Sequence, residues 1–304
     1  MISWMRPHRP HYAARRWLIA AATLALLADI RPALAQTPYE LFRERTAMLA
    51  TGERCRLFDA DTTAALDAGR AQARTAALRA GTESDALDRG ADQARAQVAP
   101  LACNAPIVMR EAQRVKSAFA LYSGMHRMSF PGDVGAWRAD RTLAVHNASW
   151  MLAQDAFAGQ DRVVFGLAGR EGGQAITVAV ASPDGAEPYA ARILMRDPLR
   201  ASRPYLPGGH PPLQARAPVR AAARAILAEA KAPADRALLP VGVNAASAFR
   251  FPTETLAALQ KLDPREAISV EFLYPSSGGD LVRTAFLEVG DFNAGVAFLK
   301  MGPR

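Results

Sequence analysis

Ser123, His126, Asp133 and Asp140 are the residue types of a nucleophile, a general base and its orienter, gathered in one short stretch. A serine and a histidine three apart at a helix end can touch. A reactive serine also needs a strained turn and oxyanion donors, and Tyr122-Ser123-Gly124-Met125-His126 supplies neither. The plainer reading is a helix end passing through Ser-Gly beside a solvated histidine. Trp137-Arg138-Ala139-Asp140-Arg141 joins an aromatic to paired charges. It suits a ligand-facing rim or, more simply, a tryptophan anchoring an interdomain junction.

Other chemistry is sparse. The chain has no G-x-S-x-G, G-x-x-x-x-G-K, H-E-x-x-H, G-x-G-x-x-G or calcium-loop pattern, so the common motif-bearing enzyme classes have no foothold. After residue 35 the histidines are His126, His146 and His210, none at ligand spacing from another. Neither a metal nor a cofactor is expected. The strongest candidate for a functional surface is basic: Arg196, Arg200, Arg203, Arg216, Arg220 and Arg224, with Lys231 beyond them. Guanidinium groups bind planar anions through paired hydrogen bonds, so these arginines would engage phosphates or carboxylates of an envelope polymer. A solvated face is the alternative.

Cys55 and Cys103 are the only cysteines. In an exported chain an even pair is read as a structural disulfide, and no C-x-x-C spacing suggests redox work.

Export is written into residues 1–35. Arg15-Arg16, the apolar run Trp17 to Ala28, and Ala33-Leu34-Ala35 have the order of a signal peptide cleaved before Gln36. An apolar run of about 12 residues is too short to span a bilayer. Arg15-Arg16-Trp17-Leu18-Ile19 fits a twin-arginine signal, and an ordinary Sec signal fits as well. The expected location is periplasmic or secreted. The chain's heavy preference for arginine over lysine reads as the coding composition of a GC-rich bacterium.

The charge of +8 over 304 residues falls to +4 for 36–304, because five arginines and one aspartate leave with the signal. So small a surplus favours acidic partners weakly. No basic face with interleaved aromatics points to nucleic acid, and no second apolar run is long enough to cross a membrane.

The elements that must position these residues fall into two parts, 36–128 and 129–304. In the first, helical spacing predicts four helices. One begins after Pro38, and a second is capped by Asp61 or Thr62 and ends at Gly81. A third runs from near Ser84 to before Pro100, and a fourth carries Val108, Ala112, Val115, Phe119 and Tyr122. Ala65, Gly69, Ala73 and Ala77 recur every four residues and permit close helix approach, with Arg70 and Arg74 off that stripe. After Phe130-Pro131-Gly132-Asp133 the period becomes two. Strands are predicted over 148–155, 161–169, 174–182 and 188–196, one face apolar and the other wet. A Pro-rich connection covers 197–218, and a helix is predicted over 218–230. A strand at Phe249 and Phe251, a helix over 253–262, strands at 268–274 and 282–289 and a last helix through Phe292, Val296 and Leu299 complete the chain.

The fold class expected is α+β: an N-terminal helical bundle pinned by one disulfide, then an antiparallel β-sheet with helices packed on it. The function expected is a non-catalytic exported binding module for an anionic envelope polymer or another exported protein. The competing readings are an exported hydrolase using scattered groups such as Asp140 and His146, and an accessory subunit of an envelope complex.

Overall fold

A computed structural model describes residues 36–142, 146–170, 173–204, 206, 209 and 211–303. Residues 1–35, where a signal peptide is expected, and His210 lie outside the described residues.

Four helices come first: α1 (Pro38–Cys55), α2 (Ala60–Arg79), α3 (Ser84–Val98) and α4 (Pro106–Gly124). Thr37 and Glu40 close a reciprocal capping box on α1, with proline in its first turn. The helix passes through Gly52 because the Phe58 ring lies where a side chain would go, 2.5 Å from the position of an added Cβ. Asp59 caps α2 by accepting from the Thr62 N–H at 2.7 Å, two residues before the expected cap. The small-residue stripe of α2 is buried. An added Cβ at Gly69 would meet the Phe119 ring of α4 at 3.1 Å, so the stripe serves close packing. A disulfide joins Cys55 at the end of α1 to Cys103 ahead of α4, with Cα atoms 5.5 Å apart.

The strands follow. A seven-stranded antiparallel sheet has the order β1 (Arg127–Pro131), β2 (Ala136–Asp140), β3 (Ser149–Ala158), β4 (Asp161–Arg170), β5 (Gly173–Ala181), β9 (Ser247–Arg250), β8 (Ala230–Pro233). A four-stranded sheet has the order β11 (Leu281–Glu288), β10 (Ala267–Tyr274), β6 (Ala190–Arg196), β7 (Ala223–Leu227). A one-turn helix, α5 (Leu213–Arg216), lies in the Pro-rich connection; α6 (Glu254–Gln260) precedes β10, and α7 (Phe292–Leu299) follows β11. The fold is therefore α+β, its N-terminal helices linked by the disulfide.

The core is shared by both sheets and by helices of both halves. Phe165, Ile176 and Val178 from the larger sheet meet Ile193, Val270 and Phe272 from the smaller, joined by Phe292 and Phe298 of α7 and Ala65 of α2. Two sequence expectations are corrected, and one hairpin lies outside the predicted strands. The helix expected over 218–230 is instead a single 3-10 turn followed by β7 and β8. Alanine favours helix in isolation, but Ile226 is buried opposite Ile193 in an antiparallel pair, and that pairing overrides propensity. The hairpin of β1 and β2 lies outside the strands predicted from the sequence, because two five-residue strands hardly establish a period. The outer face of β4 and β5 is not wet: Ala168, Ala175 and Thr177 are buried. Small side chains let the segment through Leu238 lie over them, where the Trp150 indole N–H donates to the Leu238 carbonyl at 3.3 Å.

Candidate functional site: a basic cleft beside the last helix

The six arginines singled out in the sequence do not form one surface. Arg196 is buried and donates to both carboxylate oxygens of Glu266, at 2.8 and 2.9 Å. Arg216 is buried and donates to Asp133 and to the Pro211 carbonyl, both at 2.9 Å. These two are structural, since a buried guanidinium must be neutralised and hydrogen-bonded, and ligand binding would strip it of its partners. Arg200 pairs with Asp197 at 3.4 Å, and Arg203 reaches Asp85 of α3 at 3.2 Å. Arg220 and Arg224 are exposed, and neither forms an ion pair among the described residues.

The catalytic candidates are likewise dispersed. The Ser123 hydroxyl donates to the Ala120 carbonyl at 3.0 Å, the bond of a helix end. Asp133 pairs with Arg79 and Arg216, while Asp140 accepts from Arg127 at 2.7 Å and from the Thr142 N–H at 2.8 Å. His146 lines a different concavity from Asp140. Trp137 is a buried anchor whose indole N–H donates to the Val289 carbonyl at 2.9 Å. Arg141 clamps the C-terminal segment, donating to the carbonyls of Gly302 and Met301 at 2.8 Å and of Ser123 and Met125 at 3.0 Å.

Folding gathers a different set of cations. A cleft of about 370 Å³ lies between α2 on one side and the ends of α6 and α7 on the other. Arg70, Arg74, Lys261 and Lys300 line it, and Asp67 is the one carboxylate among its described lining residues. The helical repeat of α2 sets Arg70 and Arg74 one turn apart on the side away from its small-residue stripe. Arg70 is braced by Asp67 at 2.6 and 3.0 Å, and Arg74 donates to the Ser84 hydroxyl at 3.0 Å and pairs with Asp88 at 3.5 Å. Each guanidinium is thus held in place by one carboxylate of the helical region. Lys261 and Lys300 are the C-cap residues of α6 and α7, where the helix dipole favours a cation. Both are exposed, and neither makes an ion pair among the described residues. Asn293, in the first turn of α7, donates its amide to the Gln260 carbonyl at the end of α6 at 2.9 Å, tying the end of α6 to the start of α7.

This arrangement can hold an oxyanion between two forked guanidiniums and two exposed ammonium groups. Among the described residues, no three His, Cys, Asp or Glu side chains gather as a metal site.

Beneath the cleft, Asp291 is 5% exposed, and burial pushes its carboxyl from the ordinary 3.8 up to about 6. The Thr75 hydroxyl and Arg79 oppose that shift, whereas Glu288 and Asp133 add to it. The folded state therefore holds a proton that the unfolded chain has already released. Its stabilising effect is complete below pH 3.8 and is lost as pH rises through about 6. A shift of this size corresponds to about 3 kcal/mol. Asp291→Asn should accordingly match the native protein near pH 4 and exceed it in stability at pH 8. Urea midpoints for the pair across that range test this, and a constant difference would show that Asp291 titrates normally.

Arg70 and Arg74 were visible in the sequence only as residues off a packing stripe. Lys261 and Lys300 are two of only four lysines in the chain, each just past an apolar helical segment. That rarity was the one available signal, and nothing in the order of residues brings them to α2. No family model, curated protein or solved structure matches this chain.

Proposed function

We propose that the protein is an exported, non-catalytic binding module that recognises an anionic group of an envelope component or partner protein through the cleft between α2, α6 and α7. The observation that carries this reading is the convergence of Arg70, Arg74, Lys261 and Lys300 on a concavity whose described lining holds one carboxylate, Asp67. Export is supported by the signal-like order of residues 1–35 and by the Cys55–Cys103 disulfide, which belongs to an oxidising compartment. Among the described residues no helix is long and apolar enough to cross a membrane.

Fluorescence anisotropy with labelled polyphosphate and labelled poly-glutamate tests the proposal. Arg74→Glu with Lys261→Glu should weaken binding at least tenfold at low salt, since hydrogen bonds to charged groups contribute about 1.5–3 kcal/mol each. Arg220→Glu with Arg224→Glu should have a much smaller effect, because those side chains stand on an open surface rather than in a concavity. Undiminished binding by the cleft variant would overturn the assignment, and loss in the Arg220 and Arg224 variant alone would move the site there.

A further inference from the structure

A second concavity, of about 300 Å³, opens on an adjacent side of α7 and shares Lys300 with the basic cleft. Its chemistry is different. The walls are mostly apolar, with Met151 and Leu167 from β3 and β4, Leu256 from α6, and Val296 and Leu299 from α7, while Arg141, Thr142, Ser149 and Gln174 add polar atoms. Arg170, at the end of β4, and Lys300 are exposed at its rim, and among the described residues no aspartate or glutamate lines it. Neither rim cation forms an ion pair among the described residues.

A mostly aliphatic interior with cations at the mouth and no aspartate or glutamate among the described lining residues is complementary to a molecule with an apolar tail and an anionic head. The volume lies at the lower end of the roughly 300–1,000 Å³ usual for small-ligand pockets, which suits a single short chain rather than a two-chain lipid. We propose that this pocket binds one medium-chain alkyl carboxylate, its tail against Leu167, Leu256 and Val296 and its head at Arg170 and Lys300. The site is independent of the anion-binding reading of the basic cleft, with which it has only Lys300 in common.

Calorimetry of the protein spanning 36–304, with hexanoate, octanoate and decanoate below their micelle concentrations, tests the assignment. Each buried methylene should tighten binding about fourfold, so decanoate should bind about fifteenfold more tightly than octanoate. Decyltrimethylammonium, with the same tail and the opposite head, should bind at least tenfold more weakly than decanoate. Arg170→Glu should weaken decanoate binding, and Leu256→Trp, which fills the pocket from a half-buried position, should abolish it. Arg74→Glu with Lys261→Glu should leave it unchanged, so failure here is separable from failure of the basic cleft. A flat chain-length series, or equal affinity for the two head groups, would overturn the proposal without relying on any variant.

Discussion

Glu288→Ala is expected to destabilise the protein by about 3–5 kcal/mol, the range for removing one partner of a buried, hydrogen-bonded charge. The Glu288 side chain is 0% exposed, at the end of β11. One oxygen accepts from the Asp133 N–H at 2.9 Å, and the other from the Val134 and Gly135 N–H groups at 2.9 and 3.0 Å. Arg79 of α2 adds a charged donor at 3.2 Å. A single carboxylate therefore joins the turn of the first hairpin, the smaller sheet and the helical region. Removing it leaves three backbone donors without their acceptor and Arg79 with Asp133 as its remaining carboxylate. Gly132 has no side chain because a Cβ there would collide with the Gly135 carbonyl and with Glu288 itself. Glu288→Gln, which keeps the shape and loses the charge, should fall between the native protein and alanine. Urea midpoints with unchanged slopes would measure both losses. A cost below about 1 kcal/mol for alanine would mean that the hairpin is held by its other contacts.

Loss of the disulfide should have a comparable effect. Cys55 and Cys103 are separated by 48 residues, and closing a loop of that length stabilises the folded state by about 4 kcal/mol in the chain-entropy model. Cys55→Ser with Cys103→Ser should therefore lower Tm by on the order of 10 °C for a chain of this size. Anion binding at the cleft should persist at temperatures where the variant is folded, since the bridge lies at the α1 and α4 ends while the cleft is built by α2, α6 and α7. Differential scanning calorimetry, with the anisotropy assay at 15 °C, reads both outcomes. An unchanged Tm would show that helix packing alone closes the bundle.

Most element types were legible, because local rules dominate where patterns are long and strong. The four N-terminal helices follow from the 3.6-residue period and from Pro38, Gly81 and Pro100 as punctuation. The alternation Ile176, Val178, Val180 marks a strand whose core face is the one observed. Legibility failed where tertiary context outweighed local preference. The alanine- and arginine-rich stretch after Pro218 favours helix on its own, yet its one well-buried apolar residue, Ile226, is placed by pairing with β6. Arg196 and Arg216 resemble their solvated neighbours in sequence, and only the positions of Glu266 and Asp133 convert them into buried structural cations.

By itself the sequence determined the α+β class, the pairing of its two cysteines, the packing role of the small-residue stripe on α2 and the absence of the common catalytic motifs. These are properties of composition, short-range period and residue count, which the chain carries before it folds. Tertiary structure alone decided that the strands divide into two sheets around one core, and that Glu288 reaches back to residues 133–135. It alone brought Arg70 and Arg74 opposite Lys261 and Lys300. Each of these joins residues far apart along the chain, and such contacts are chosen by the competition among all ways of burying the apolar faces, not by any segment's own preference.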